Sequence, residues 1–485
     1  MALGTAPPKL DQRQNRQTRP ASQTASDRAG HALKERMTRL RGRVTNVLPA
    51  GSVRARVVRG AFWVLIGSAS SQVVTAVAGI LVARELGKLA FGELAMIRST
   101  VGMFDAVANL GVGVVASKFM AELRDRDRHR AGRILGLATG VGLVSGAMAM
   151  ALVIALATPL SVHVLKNPLL APYLRIGAVM LLVSSLNTVQ SGALAGFEAF
   201  KKQAFVGFTI STGTGVFLVL GAYTAGIRGA IWMASLWAVP SFFISRWFYL
   251  SECRKYGISL QYGQAWSERS VLFSFGIPAT LGTLMVGPVG WAAGAILTRT
   301  AGYEELGLFN AANQWRNVLL FLPAIIGTPL LPVMSQLYAK QEYARVRRVL
   351  IRSLFANLII SGTAAILLAL ASKTIMKLYG PQFTAGVPPL LAVIATAVLL
   401  SAGVVVGNLI AASAAVWQGF LFNAVWAAVL LASAAVLSSR FGALGLGLAY
   451  LLAYTVHTAI QLTYLFRRLR QMESFCSNEQ SVPRG

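Results

Sequence analysis

The sequence predicts an all-α polytopic membrane protein with about 12 transmembrane helices in two parallel six-helix repeats, and three observations carry that expectation. Composition comes first: of 485 residues, 55% are hydrophobic and only 13% charged, against about a quarter charged in soluble domains. Apolar runs near the roughly 20 residues that a bilayer demands follow one another from Ala61 onward. A polar signature also repeats. Arg84-x-x-Gly87-x4-Gly92 returns as Arg299-x-x-Gly302-x4-Gly307, an offset of 215 residues; Arg130 and Arg133 return as Arg345 and Arg348 at the same offset, and Gly226-x-x-Gly229 returns as Gly442-x-x-Gly445 at 216.

Residues 1–57 read as a disordered basic cytoplasmic tail. Few aromatics and many Gln, Arg, Ser and Thr leave it too little apolar surface to fold, and it lacks the apolar core of a secretory signal. His31 to Leu48 has the makings of a basic helix against anionic lipid; its Arg-rich, acid-poor character also resembles an organellar transit peptide. The net charge of +28 does not point to nucleic acid, because 13 Lys or Arg fall in residues 1–60 and most others in short loops between apolar runs.

The first lobe is expected over 58–253, with spans at 61–83, 91–117, 132–157, 173–196, 205–225 and 229–250. A cytoplasmic linker covers 254–270. The second lobe covers 271–468, with spans at 271–298, 307–336, 350–371, 388–412, 418–438 and 442–466, and a cytoplasmic tail follows over 469–485. Loops after the even-numbered spans carry the larger share of Lys and Arg, among them Arg124, Arg126, Arg128, Arg130 and Arg133, and later Lys340, Arg345, Arg347, Arg348 and Arg352. Positive loops stay inside, so both termini are expected in the cytoplasm. Cys253 and Cys476 both fall on that side, where a disulfide is not expected.

Six spans per half put both halves in the bilayer with the same orientation, related by a pseudo-two-fold axis along the membrane normal, with a binding site expected at the repeat interface near midplane. Read as one helix, Phe91 to Lys118 places Arg98, Asp105 and Asn109 on one face, since steps of seven and four residues return to the same side. Its echo, Gly307 to Gln336, carries Arg316 beside Asn310, Asn313, Gln314 and Asn317. Arg98 maps to Asn313, and Arg316 lies one turn beyond. An arginine inside a span costs about 2.5–3.5 kcal/mol on insertion scales unless it meets a partner or a wet cavity, so both mark a site. One acid, Asp105, against two arginines leaves that site positive. A guanidinium fork suits a phosphate or diphosphate, and Asn187, Gln190 and the amides around Arg316 can line a path for sugar hydroxyls. The bland alternative is that Arg98 pairs with Asp105 or a backbone carbonyl and only fixes helices.

Pro323, Pro329 and Pro332 interrupt the eighth span, and Gly136-x3-Gly140, Gly290-x3-Gly294 and Gly403-x3-Gly407 permit close helix approach. Nothing has the spacing of a nucleotide-binding loop or a metal site, and no residue stands out for covalent catalysis. His457, alone of the four histidines in a span, reads as a packing residue. No enzyme activity, catalytic residue, metal or cofactor is expected, with a coupling ion left open.

Three stretches carry a resemblance: Ile80 to Glu122, Gly307 to Ser335, and LYGPQF at Leu378 to Phe383. Over about residues 58–468 the chain resembles the Wzx-type lipid-linked oligosaccharide flippases of the multidrug/oligosaccharidyl-lipid/polysaccharide exporter superfamily. The resemblance implies a V-shaped, MATE-like pair of lobes around a central cavity in the bacterial cytoplasmic membrane. It implies a substrate of oligosaccharide on polyprenyl diphosphate, with Arg98 and Arg316 at the cationic positions that engage the diphosphate. Partners implied are the lipid-linked glycan, membrane lipids, and possible polymerase and glycosyltransferases; no nucleic acid is expected. Related peptidoglycan-precursor flippases carry two further spans, which argues against that branch. The alternative on the same fold is a cation-coupled multidrug exporter, for which Asp105 is the one well-placed acid. A non-transporting scaffold acting through its basic tail is a third reading, which leaves buried arginines without a purpose.

Overall fold

A computed structural model describes residues 53–277, 280, 284–327, 330–412 and 416–481. The helical bundle belongs to the compact unit Phe62–Gly485. His31 to Leu48, and the expected tail up to residue 52, lie outside the described residues.

Every element described is helical. The first half contains α1 (Val53–Gly102), α2 (Asp105–Asn109), α3 (Val112–Leu123), α4 (Arg128–Pro159), α5 (Ala171–Gly196) and α6 (Phe200–Tyr256). The second contains α7 (Val286–Ala301), α8 (Tyr303–Gly327), α9 (Leu330–Ala339), α10 (Tyr343–Leu370), α11 (Ser372–Leu378), α12 (Val387–Ala412) and α13 (Val416–Ser481). Among the described residues seven helical segments are long and apolar enough to cross a membrane. Three of them, in α1, α6 and α13, are long runs broken once, at Gly87, Ala225–Gly226 and Gly442 respectively. Spans expected to be joined by loops at these places are joined instead by a single glycine kink. Glycine tolerates the positive φ that lets the chain reverse.

The kinks restate the sequence repeat in the backbone. Gly87 (φ 71°, ψ 173°) matches Gly302 (φ 92°, ψ 172°), and Gly226 (φ 58°, ψ −143°) matches Gly442 (φ 55°, ψ −129°). Two other expectations differ. The stretch from Phe91 is not one helix: Leu110 (φ 40°) and Gly111 (φ 71°) both turn left-handed and separate α2 from α3. Arg98, Asp105 and Asn109 thus do not share a continuous helical face. At the other end α13 runs on through Ser481, past the expected boundary at 468, because no Gly or Pro interrupts residues 454–481.

Packing divides unequally. One large core draws on both halves, from Val82, Met96, Leu174 and Leu218 in the first to Leu308, Met376, Leu390 and Leu446 in the second. At the end bearing the Arg124–Arg133 loop, the first half has its own cluster, around Val115, Ile134 and Tyr249. The second half has another at its matching end, around Val346, Val405 and Leu465. The halves therefore share a core at one end and keep separate cores at the end with the basic loops. In the shared region Gly92 and Gly307 bring α1 and α8 together so closely that a Cβ on Gly92 would strike the carbonyl of Tyr303, and one on Gly307 that of Lys88. Lys88 and Glu304 pair across the same seam, Nζ to Oε2 at 2.6 Å.

The linker belongs to the first half. Gln261 donates its backbone N–H to Gly132 (3.2 Å), and buried Glu268 receives Arg130 (3.1 Å) and Arg133 (3.0 Å). Gly132 and Gly136 allow this strand of chain to lie directly on α4, with Ser259 and Gln261 carbonyls against them.

Candidate functional site

Between the halves lies a cavity of about 590 Å³, bounded by α1, α6 and α8. Its polar lining includes Thr75, Arg98, Ser99, Ser211, Thr214, Asn310, Asn313, Gln314 and Asn317. Two smaller spaces adjoin it. One of about 190 Å³ reaches into the first half, shares Arg98, and contains Asp105 and Ser184 in an otherwise largely aliphatic wall. The other, about 240 Å³, reaches into the second half, shares Asn310 and Asn313, and contains Arg316.

Arg98 sits in mid-span on α1, yet its side chain is exposed. Exposure in a helix flanked by buried Met96, Ile97 and Thr100 means that the guanidinium faces the cavity rather than packed protein. It does not pair with Asp105. That carboxylate accepts from Ser184 Oγ at 2.8 Å, and the helix break at Met103–Phe104 falls between the two residues. Arg316 on α8 has a cation–π contact with Tyr450, 5.7 Å from guanidinium carbon to ring centre. Neither arginine takes part in any of the ion pairs found among the described residues. A guanidinium left to an aromatic face and open space keeps its fork free for an anionic guest.

The amides divide. Asn310 donates to Leu306 O (2.9 Å), while Asn313 keeps a buried Oδ1 with no partner among the described residues. Asn317 is exposed to the main cavity. Gln314 is committed: its Nε2 donates to the carbonyls of Thr75 (3.0 Å) and Ala76 (2.9 Å), its Oε1 accepts from Tyr379 (3.0 Å), and Gly79 makes room for it. It ties α8 to α1. Asn109, Asn187 and Gln190 do not line these three cavities. Asn109 donates to Asp105 O, Asn187 to Ser241 Oγ, and Gln190 is buried, each with an oxygen that finds no partner among the described residues.

Sequence reasoning missed the aromatic wall around Arg316. Phe309, Trp291, Trp426, Tyr450 and Tyr454 all line the 240 Å³ space. Phe309 stacks on Tyr450 (ring centres 5.7 Å, 14°), and Tyr450 on Tyr454 (6.3 Å, 16°). The available signal was the four-residue spacing of Tyr450 and Tyr454, about one helical turn, which places both on one helix face.

Comparisons with known proteins agree with this architecture. A multidrug resistance MATE family transporter of the MOP superfamily in its inward-facing conformation is similar in fold, with a TM-score of 0.68 at 13% identity over 83% of this chain and 96% of that one. A MOP superfamily transporter from Pyrococcus furiosus has a TM-score of 0.62 at 16% identity, covering 86% and 96% of the two chains. In sequence, the chain is similar to the EPS I polysaccharide export inner membrane protein EpsE of Ralstonia nicotianae, 28% identical over 189 residues. That match covers 39% of this chain and 43% of the relative. The EpsE of Ralstonia solanacearum is 27% identical over 180 residues, 37% of this chain and 41% of the relative. The chain thus aligns with less than half the length of these curated relatives. Residues 57–338, more than half of the chain, match the family described as polysaccharide biosynthesis protein. This chain, a helical membrane protein with the fold of MOP superfamily transporters, belongs to the polysaccharide biosynthesis protein family.

Proposed function

We propose that the protein is a flippase, moving polyprenyl-diphosphate-linked oligosaccharide repeat units from the cytoplasmic to the outer leaflet of the bacterial inner membrane for surface polysaccharide assembly. The observation that carries this reading is the pair Arg98 and Arg316: among the described residues, two guanidinium groups free of carboxylate partners, facing adjoining cavities in which Asp105 is the single lining acid. Such a site favours a phosphate-bearing guest over a cationic drug. The export role printed for the EpsE relatives and the family of the chain support the polysaccharide side of it.

In this reading the diphosphate and its sugars enter between the lobes, the lipid tail stays in the bilayer, and the lobes rock to expose the opposite side. The two lobes are those expected at 58–253 and 271–468. Both termini are cytoplasmic, which makes the end with separate cores the cytoplasmic one and the cavity accessible from the side where lipid-linked sugars are assembled. The protein itself carries out no covalent chemistry; glycosyltransferases would supply its substrate and a polymerase would use its product. Cells producing Arg98→Ala with Arg316→Ala at normal protein levels are expected to lose surface glycan. Unchanged export in such cells would remove the diphosphate role.

A further inference from the structure

The two halves contain corresponding side cavities with different walls. Leu94 and Ala234 line the one in the first half. At the repeat offsets of 215 and 216 their counterparts are Phe309 and Tyr450, which line the one in the second half. Tyr454 likewise stands opposite Ala238. The fold therefore closes its first half with leucine and alanine at these positions, so the aromatic set is not something that the architecture requires.

That set has the chemistry of a sugar site. Phe309, Tyr450 and Tyr454 form a stacked ladder that Trp426 extends, its ring centre 5.4 Å from that of Tyr454. The Trp426 Nε1 donor and the Asn313 Oδ1 acceptor are buried without partners among the described residues, and an unpaired buried polar group costs about 1–3 kcal/mol until something bonds to it. A pyranose ring offers C–H groups on its faces for an aromatic wall and hydroxyls at its edge that both donate and accept. At about 30 Å³ per water, the 240 Å³ space holds roughly eight waters, the room that one such ring with its hydroxyls needs. A lipid chain would leave the Arg316 guanidinium and both unpaired atoms unanswered.

We propose that this second-half cavity is a saccharide subsite, in which the aromatic wall of Tyr450 and Tyr454 packs its ring edges against the sugar next to the diphosphate while Asn313 and Trp426 bond its hydroxyls. The inference rests on the flippase reading, and names the part of the site that recognises glycan rather than phosphate. The corresponding aliphatic cavity beside Arg98 has no such role.

The test uses purified full-length protein in detergent and two probes, undecaprenyl diphosphate and undecaprenyl diphosphate bearing one N-acetylglucosamine. Wild type binds the sugar-bearing probe more tightly. Tyr454→Ala, which installs the residue of the first half and spares the Tyr450 ring that faces Arg316, weakens that binding about fivefold, as one aromatic contact near 1 kcal/mol implies, and leaves the bare diphosphate within about twofold. Tyr454→Phe keeps the aromatic contact and the affinity. If the alanine variant does not fold, Tyr454→Leu fills the space without an aromatic ring and serves the same comparison. Equal weakening for both probes, or none for either, overturns the subsite; if Arg316→Ala still weakens the bare diphosphate, the flippase reading survives. Wild type that binds neither probe defeats both.

Discussion

Gly92 and Gly307 are each other's counterparts in the repeat, and they meet backbone against backbone. Each lies under the carbonyl that precedes its partner by four residues, Tyr303 over Gly92 and Lys88 over Gly307. Lys88 and Tyr303 are themselves a pair at the 215-residue offset. The contact is thus reciprocal, as a two-fold relation between like surfaces demands, and it holds the halves together within their shared core.

Gly92→Ala and Gly307→Ala should each destabilise the protein, because the new methyl group would meet backbone that cannot turn aside. Overpacking of this kind costs about 1–3 kcal/mol. Gly362→Ala, on α10 with nothing within 4 Å of its added carbon, should be neutral or slightly stabilising. Thermal unfolding of the three variants in detergent checks this; equal midpoints for all would mean that the seam yields.

Arg124 anchors the end of α5. It donates from Nη1 to Gly196 O (2.9 Å) and from Nη2 to Glu198 Oε1 (2.6 Å), and its guanidinium carbon lies 5.8 Å from the centre of the Tyr256 ring. Burial alone would lower its pKa, but the Glu198 hydrogen bond and charge raise it above the usual arginine value. Arg124→Ala should cost about 1–3 kcal/mol by stranding the carbonyl and the carboxylate. Arg124→Lys should recover only part, since an ammonium lacks the planar fork. Unfolding midpoints ordered wild type, Lys, Ala would support this geometry.

Glu268 clips the linker to α4 by receiving both Arg130 and Arg133. Glu268→Gln removes the charge that two guanidinium groups share, and the linker should loosen while the transmembrane core stays folded. Faster tryptic cleavage near Arg254, Lys255 and Arg269, with unchanged thermal unfolding, is the expected result. Unaltered cleavage would show that the backbone contact at Gly132 suffices.

Much of this architecture was legible in the sequence for physical reasons. A bilayer demands apolar runs of fixed length, and an arginine that survives inside one needs a wet surface, so Arg98 and Arg316 were visible before any fold. The kinks at Gly87, Gly226 and Gly442 were visible as repeated glycines, though not as helix breaks within continuous runs. What stayed hidden depends on contacts between distant segments. Gln314 looked like a free cavity amide, but α8 lies close enough to α1 for it to bind the carbonyls of Thr75 and Ala76. Asn187 and Gln190 looked equally available, yet they face packed helices. The aromatic wall is drawn from residues 291, 309, 426, 450 and 454, each of them ordinary in its own span. Leu110 turning left-handed has no glycine signal of its own; only the Gly111 that follows it hints at the break.

The most direct measurement is translocation of a fluorescent polyprenyl-diphosphate oligosaccharide in liposomes holding the purified protein, with wild type beside Arg98→Ala and Arg316→Ala. Wild type should move the probe to the opposite leaflet, and either substitution should slow that movement at least about tenfold, the equivalent of about 1.4 kcal/mol of lost charge-assisted bonding. Movement that is equally fast in all three would contradict a cationic diphosphate site. No movement in any, together with transport of a cationic dye that Asp105→Asn abolishes, would replace the flippase with a drug exporter.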